Sequence, residues 1–205
     1  RVLEGRRLQH RVVELEQRLA GADVDAIFES RSAAYRGFLE LARRGAGSDA
    51  GVLLRGESGA GKNVLAHWIR AHSSRKGSPF VLVNCPLLSS DQMTSALFGH
   101  KKGASTAAVA DATGKVQEAE GGTLFLDEVA DLTSDAQARL LRFMNDQTYE
   151  RFGEAHARRA DVRIIAATHK PIEELVAAGK FREDLLFRLN VLSMTVQALS
   201  DRHED

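Results

Sequence analysis

Cysteine is nearly absent: Cys85 stands alone, which excludes an internal disulfide framework and suits a reducing cytoplasm. No apolar run is long enough to span a bilayer and no stretch reads as a signal peptide, so neither a membrane partner nor secretion is expected. Excess charge is missing too, since 28 Lys and Arg balance 28 Asp and Glu. Bulk electrostatics therefore gives this segment no pull toward nucleic acid, and any DNA contact is expected in a domain outside the chain. There is no internal repeat and no low-complexity tract. What remains is globular: a 43% hydrophobic content over 205 residues can bury one core and leave room for an appended helix. A chain that starts at Arg1 and stops at Asp205 in a polar stretch is expected to be a piece of something longer.

Residues 6–20, "RRLQHRVVELEQRLA", set Leu8, Val12, Leu15 and Leu19 at alternating spacings of four and three, the seam of a short coiled coil. Two readings stay open, an amphipathic helix packed on its own domain and a dimerising or inter-domain linker helix. "AGADVD" breaks the pattern, which divides the chain into a helix over 1–24 and an α/β domain over 25–205. A second helix is predicted from Ala33 to Arg44.

Beyond it the period alternates between extended and helical, as in a parallel sheet covered on both faces. Strands are predicted at 51–55, 80–84, 123–127, 162–168 and 190–196, with helices at 62–72 and near 134–145, 171–179 and 182–189. Cys85 is expected to be a small core residue, and Lys101-Lys102 and Arg158-Arg159 solvated charge pairs.

Two stretches carry chemistry. "GESGAGKN", residues 56–63, follows a strand and opens a helix. Gly56, Gly59, Gly61 and Lys62 satisfy the phosphate-cradle pattern, with Glu57, Ser58 and Ala60 filling the loop; glycines let N–H groups turn inward and the Lys reaches the outer phosphates. The pattern normally ends in a hydroxyl that holds Mg²⁺, and here Asn63 replaces it. "GGTLFLDEV", residues 121–129, ends an apolar strand in Asp127-Glu128. One carboxylate then lies near a phosphate-bound metal and the next can polarise an attacking water.

The blocks "GESGAGKN", "FVLVNCPLL", "ALFGHKKGASTAA", "GGTLFLDEV", "LLRFMNDQTYERFG", "DVRIIAATHK" and "GKFREDLLFRLNVL" resemble the central AAA+ ATPase domain of bacterial enhancer-binding proteins, the activators of sigma-54 RNA polymerase. The resemblance implies a P-loop core of five parallel strands between helices, a preceding linker helix, and a helical lid that starts near or after Asp205. It implies ATP and Mg²⁺ as ligands, with Asp127 and Asn63 toward the metal and Glu128 toward the water. Members commonly carry Glu after the P-loop Lys, so Asn63 departs from the family as well; it keeps an oxygen acceptor without the charge. Asn84 resembles the partner that holds the catalytic Glu according to nucleotide state. Thr168 and His169 resemble the first sensor of the γ-phosphate, and Ile27 and Phe28 the apolar segment against adenine. Arg182 and Arg188 resemble the fingers that reach a neighbouring subunit's nucleotide, and which of them does so stays open. Self-assembly into a ring, hexameric by the resemblance, follows, with a dimer through residues 6–20 as a resting state.

Gly103, Ala104, Ser105, Thr106, Ala107 and Ala108 stand where the family carries its sigma-contacting loop, Gly-Ala-Phe-Thr-Gly-Ala. Ser105 replaces the Phe and Ala107 the second Gly. Two functions therefore compete: an ATPase that remodels sigma-54 polymerase, and a nucleotide-gated oligomerisation module that controls transcription without remodelling. A small-molecule kinase is disfavoured by the lack of an acceptor site.

Overall fold

A computed structural model describes residues 33–104 and 108–196. The helix expected over residues 1–24, the adenine segment expected at Ile27 and Phe28, and Ser105, Thr106 and Ala107 of the expected sigma-contacting stretch lie outside the described residues.

Five strands form one sheet: β1 (Val52–Arg55), β2 (Phe80–Asn84), β5 (Thr123–Asp127), β8 (Arg163–Thr168) and β9 (Leu192–Thr195). Their order is β2-β5-β8-β1-β9, and every pair is parallel. The sheet class follows from composition, because runs such as "VLL" and "IIAA" are apolar at successive positions and need cover on both faces. Alternation then sorts the side chains. Leu53, Leu124, Leu126, Ile164 and Ala166 join one core, while Val52, Leu54, Phe125, Ile165 and Ala167 join the other.

The second core is covered by α1 (Ala33–Ala46) and α2 (Lys62–Ala71), which contribute Ala42, Ala46, Leu65, Trp68 and Ile69. The first is covered by α3 (Ser90–Phe98), α5 (Ser134–Asp146) and α7 (Glu183–Leu189), through residues such as Leu97, Leu140, Phe143 and Leu185. Two short helices complete the set, α4 (Lys115–Glu118) and α6 (Ile172–Ala177). α5 illustrates local control: the Thr133 hydroxyl accepts from the Ala136 N–H at 3.3 Å at its start, and Gln147 turns left-handed at φ 54° to stop it. Cys85 is fully buried, and burial among the carboxylates of Asp127, Asp131 and Glu128 pushes its thiol up to about 12, so it packs and does not react.

The five predicted strands and the helices of the described core are present, with ends shifted by a residue or two. The sequence reading missed α3, α4 and two minimal hairpins, β3 (Gly99–His100) with β4 (Ala112–Thr113) and β6 (Thr148–Tyr149) with β7 (Arg158–Arg159). Two-residue strands have no period to detect. Backbone bonds lock the hairpins together, from Phe152 N–H to the Gly99 carbonyl and from Lys101 N–H to the Phe152 carbonyl, both at 2.9 Å. Among the described residues no helix is long and apolar enough to cross a membrane.

Two arginines close the edge where the strands begin. Arg75 reaches Asp49 with Nε and Nη2 (3.0 and 3.1 Å), Asp161 with Nη2 (2.8 Å), and the Gly122 and Asp161 carbonyls with Nη1. Arg163, only 2% exposed at the start of β8, donates to the Ala46 and Gly45 carbonyls at 3.1 and 2.7 Å and so caps the C-terminal end of α1. Arg163→Ala should lower stability by about 2–4 kcal/mol in urea unfolding, because it strands two buried carbonyls and opens a void. Arg163→Lys should recover little, since a single ammonium lacks the fork; full recovery by Lys would show that charge alone suffices.

Candidate nucleotide site

Parallel register gathers the site. Arg55 pairs with Thr168, Asn84 with Asp127, and Leu126 with Ala166, so four strands deliver their last residues to one edge of the sheet. That edge is where open α/β sheets hold ligands.

The phosphate loop leaves β1 at Gly56 with φ 152°; a Cβ there would stand 2.5 Å from the Val196 carbonyl oxygen, so the close pass beside β9 admits only glycine. Gly61 precedes α2 in the left-handed region at φ 92°, and no side chain caps the helix. The leading N–H groups of α2 therefore point outward with no side-chain partner, as an anion site requires. The space beside Gly59 and Gly61 is open, with nothing within 4 Å of where a Cβ would be. Glu57 and Ser58 are exposed, Ala60 is buried and Asn63 is half-buried at the first turn of α2.

Lys62 is 6% exposed, and its Nζ donates to the Gly56 and Glu57 carbonyls at 2.9 Å each. It stands 3.7 Å from Glu128 Oε1. This cradle fits a polyphosphate: oriented N–H groups, open glycines and a shielded ammonium. For a divalent cation the chain offers Asp127 and Asn63, and no group of three or more acidic, His or Cys residues able to hold a metal exists among the described residues. Such a set suits a Mg²⁺ whose other ligands are phosphate oxygens and water.

Glu128 follows β5 in a left-handed conformation, φ 55° and ψ 53°, which costs a non-glycine residue roughly 1 kcal/mol. Its Oε2 accepts twice from His169, from the backbone N–H at 3.1 Å and from Nδ1 at 2.8 Å. Burial pushes the Glu128 carboxyl up, but the two His169 hydrogen bonds, with the Lys62 and His169 charges, outweigh it and hold the group below the usual carboxylate range. Its neighbour moves the other way: burial first, then the Glu128 charge, raises Asp127 despite Lys62.

The sequence reading paired Asn84 with Glu128. Here the carboxylate is given to His169, and the Asn84 side chain makes no hydrogen bond among the described residues. Thr168 is buried and its hydroxyl accepts from the Lys170 N–H at 3.1 Å. Arg182 and Arg188 are both exposed on α7 and its N-cap. Arg182 holds Asp184 with two bonds, at 3.0 and 2.7 Å, and Arg188 Nε donates to Asn145 at 2.7 Å. Neither bonds to the phosphate loop or to Asp127-Glu128 among the described residues.

Three contributors escaped the sequence reading. Gln137, 1% exposed, donates to the Leu132 and Lys180 carbonyls at 2.8 and 3.1 Å and accepts from the Arg182 N–H at 2.9 Å. It thereby joins the turn after Glu128 to the start of the arginine helix. Asp131 and Lys170 form an ion pair beside Glu128 and His169. The available signal was placement, Asp131 one short turn past Glu128 and Lys170 next to His169.

A strand–glycine loop–helix cradle, an Asp-Glu pair ending the neighbouring apolar strand but one, and a parallel strand ending at Thr168 between them define a P-loop nucleotide-binding domain of the AAA+ type. The family described as "Sigma-54 interaction domain" matches residues 28–195, and the chain belongs to it. Among curated proteins it is 47% identical over 203 residues to the alginate biosynthesis transcriptional regulatory protein AlgB of Pseudomonas aeruginosa, spanning 99% of this chain and 45% of that protein. The chain thus spans under half the length of this relative. Among solved structures it resembles NtrX from Brucella abortus in complex with ATP, with TM-score 0.79 and 39% identity over 86% of this chain and 38% of that one. The fold also matches the P-loop NTPase domain of a sigma-54 transport activator from E. coli, with TM-score 0.56 and 18% identity over 83% of this chain and 99% of that one.

A raised folded-state pKa means that ionised Asp127 costs stability at neutral pH, a cost that disappears as pH falls through that pKa. Asp127→Asn should therefore stabilise the fold modestly at pH 7. The gain should vanish below about pH 3, where the unfolded carboxyl is also protonated. Urea unfolding at both pH values checks this, and equal gains at the two would assign the effect to packing.

Proposed function

We propose that this chain is the ATP-hydrolysing domain of a cytoplasmic transcriptional regulator of the sigma-54 activator type, active as a ring of subunits. The observation that carries the reading is the Lys62–Glu128–His169 array, which sets a phosphate-binding ammonium, a water-activating carboxylate and a sensor at one sheet edge. Mg²⁺ would be held by Asp127 and Asn63 and would supply charge to the transferred phosphoryl. In this scheme Lys62 turns from the loop carbonyls to the phosphates, Glu128 Oε1 orients the attacking water, and Asn84 takes Glu128 in a different nucleotide state. The helix over 1–24 joins this domain to an input domain, Ile27 and Phe28 flank adenine, and a DNA-binding domain lies outside the chain.

The exposed arginine side chains, which among the described residues hold Asp184 and Asn145 and not the nucleotide cradle, support action across a subunit boundary. Lys62→Ala should weaken ATP binding, whereas Glu128→Gln should keep it and stop turnover. Mixing inactive Lys62→Ala protein, which has intact arginines, with an inactive Arg182→Ala or Arg188→Ala protein should restore part of the activity. No rescue at any ratio would place the arginines in their own subunit's site, and equal affinity loss in Lys62→Ala and Glu128→Gln would overturn the role assignment.

A second reading, regulation by nucleotide-gated assembly without remodelling, is favoured by the loop. Gly103 N–H donates to the Ala108 carbonyl at 2.8 Å, which brings together the two ends of the sequence stretch that stands where the family carries its sigma-contacting loop. A Ser at position 105 cannot reproduce the area of an aromatic anchor, worth about 2 kcal/mol or more at an interface. Sigma-54 binding in the presence of a transition-state nucleotide analogue should be weak for this loop and be gained with Ser105→Phe plus Ala107→Gly. Tight binding by the unaltered loop would sink the second reading.

A further inference from the structure

A carboxylate that orients an attacking water must be held in place, yet Glu128 keeps a left-handed backbone that an unconstrained residue abandons. Such strain persists where neighbours over-determine it. Its His169 partner is 43% exposed at a strand end, so that pair alone is a weak anchor.

The neighbours stand one step away. Glu128 opens a single 3₁₀ turn, Val129–Asp131, and its carbonyl accepts from the Asp131 N–H at 2.9 Å. Any movement of Asp131 therefore reaches the Glu128 backbone. The Asp131 carboxylate pairs with the Lys170 ammonium, and Lys170 directly follows His169. Lys170 is fixed in turn by its N–H on the Thr168 hydroxyl. Two rungs thus join the same two segments, Glu128 to His169 and Asp131 to Lys170. A third contact, Glu173 to Arg55 at 2.5 Å, ties the segment after β8 to the residue before Gly56.

We propose that Asp131 and Lys170 are positioning residues for nucleotide hydrolysis, an ion-paired clasp that holds the strained Glu128 against His169 at the end of β8. This role rests on the reading of Glu128 as the water-activating group. Neither side chain of the clasp needs to touch nucleotide. Asp131 and Lys170 stand on the two turns that carry Glu128 and His169, so the pair adds a second tie between the same two segments.

Asp131→Asn and Lys170→Met should each lower kcat about tenfold with KM for ATP unchanged, as expected for a misplaced group that acts in the chemical step. Lys170→Arg should retain activity. Either loss combined with His169→Ala should cost no more than His169→Ala alone, because both act through one pair. Independently of turnover, the His169 imidazole ¹⁵N resonances should shift in Asp131→Asn and Lys170→Met and stay in place in Lys170→Arg. Unmoved resonances, or a kcat loss fully additive with His169→Ala, would overturn the clasp. Absence of hydrolysis in the unaltered protein would instead overturn the ATPase reading, while the resonances alone would still decide the clasp.

Discussion

Parallel pairing in register of β2, β5, β8 and β1 is the constraint on which the rest depends. Every strand of a parallel sheet ends at the same edge, so Arg55, Asn84, Asp127 and Thr168 arrive together although they are far apart in sequence. The cost of the arrangement is burial on both faces, met by two cores that take alternate residues of each strand. At the opposite edge Arg75 binds loop carbonyls and carboxylates and Arg163 the last carbonyls of α1, which fixes where the strands begin and hence where they end.

Electrostatics at the site is divided between two adjacent carboxylates. Asp127 is pushed up by burial and by its neighbour's charge, while Glu128 is held down by His169. The two groups are one residue apart and face different surroundings: Glu128, in a left-handed conformation, is bonded by His169, while among the described residues no such bond offsets the burial of Asp127. Lys62 stands near both charges and also satisfies loop carbonyls, so the shielded ammonium is not left unpaired.

The arginine helix is connected to this edge through the interior. Gln137, buried in α5, bonds to the Leu132 carbonyl on one side and to the Arg182 N–H on the other. A short path of backbone and carboxamide bonds therefore runs from the turn after Glu128 to the start of α7. The two hairpins are likewise joined as one unit by the Gly99–Phe152 and Lys101–Phe152 bonds.

Sequence alone determined the sheet, its strands and the phosphate loop, because apolar runs, glycines at fixed offsets and a lone Lys are local signals whose meaning does not depend on distant partners. It also marked Asp127 and Glu128 by their place at a strand end, and His169 through the family resemblance. Tertiary structure decided which residue Glu128 bonds, since Asn84 and His169 both lie at the same edge and only register and the turn at Glu128 select between them. It alone supplied α3, the hairpins, the Asp131–Lys170 pair and the buried Gln137 and Arg163. The ion pair and the contacts of Gln137 and Arg163 join segments remote in the chain, and are made by residue types that are ordinary surface residues until folding brings their partners within reach.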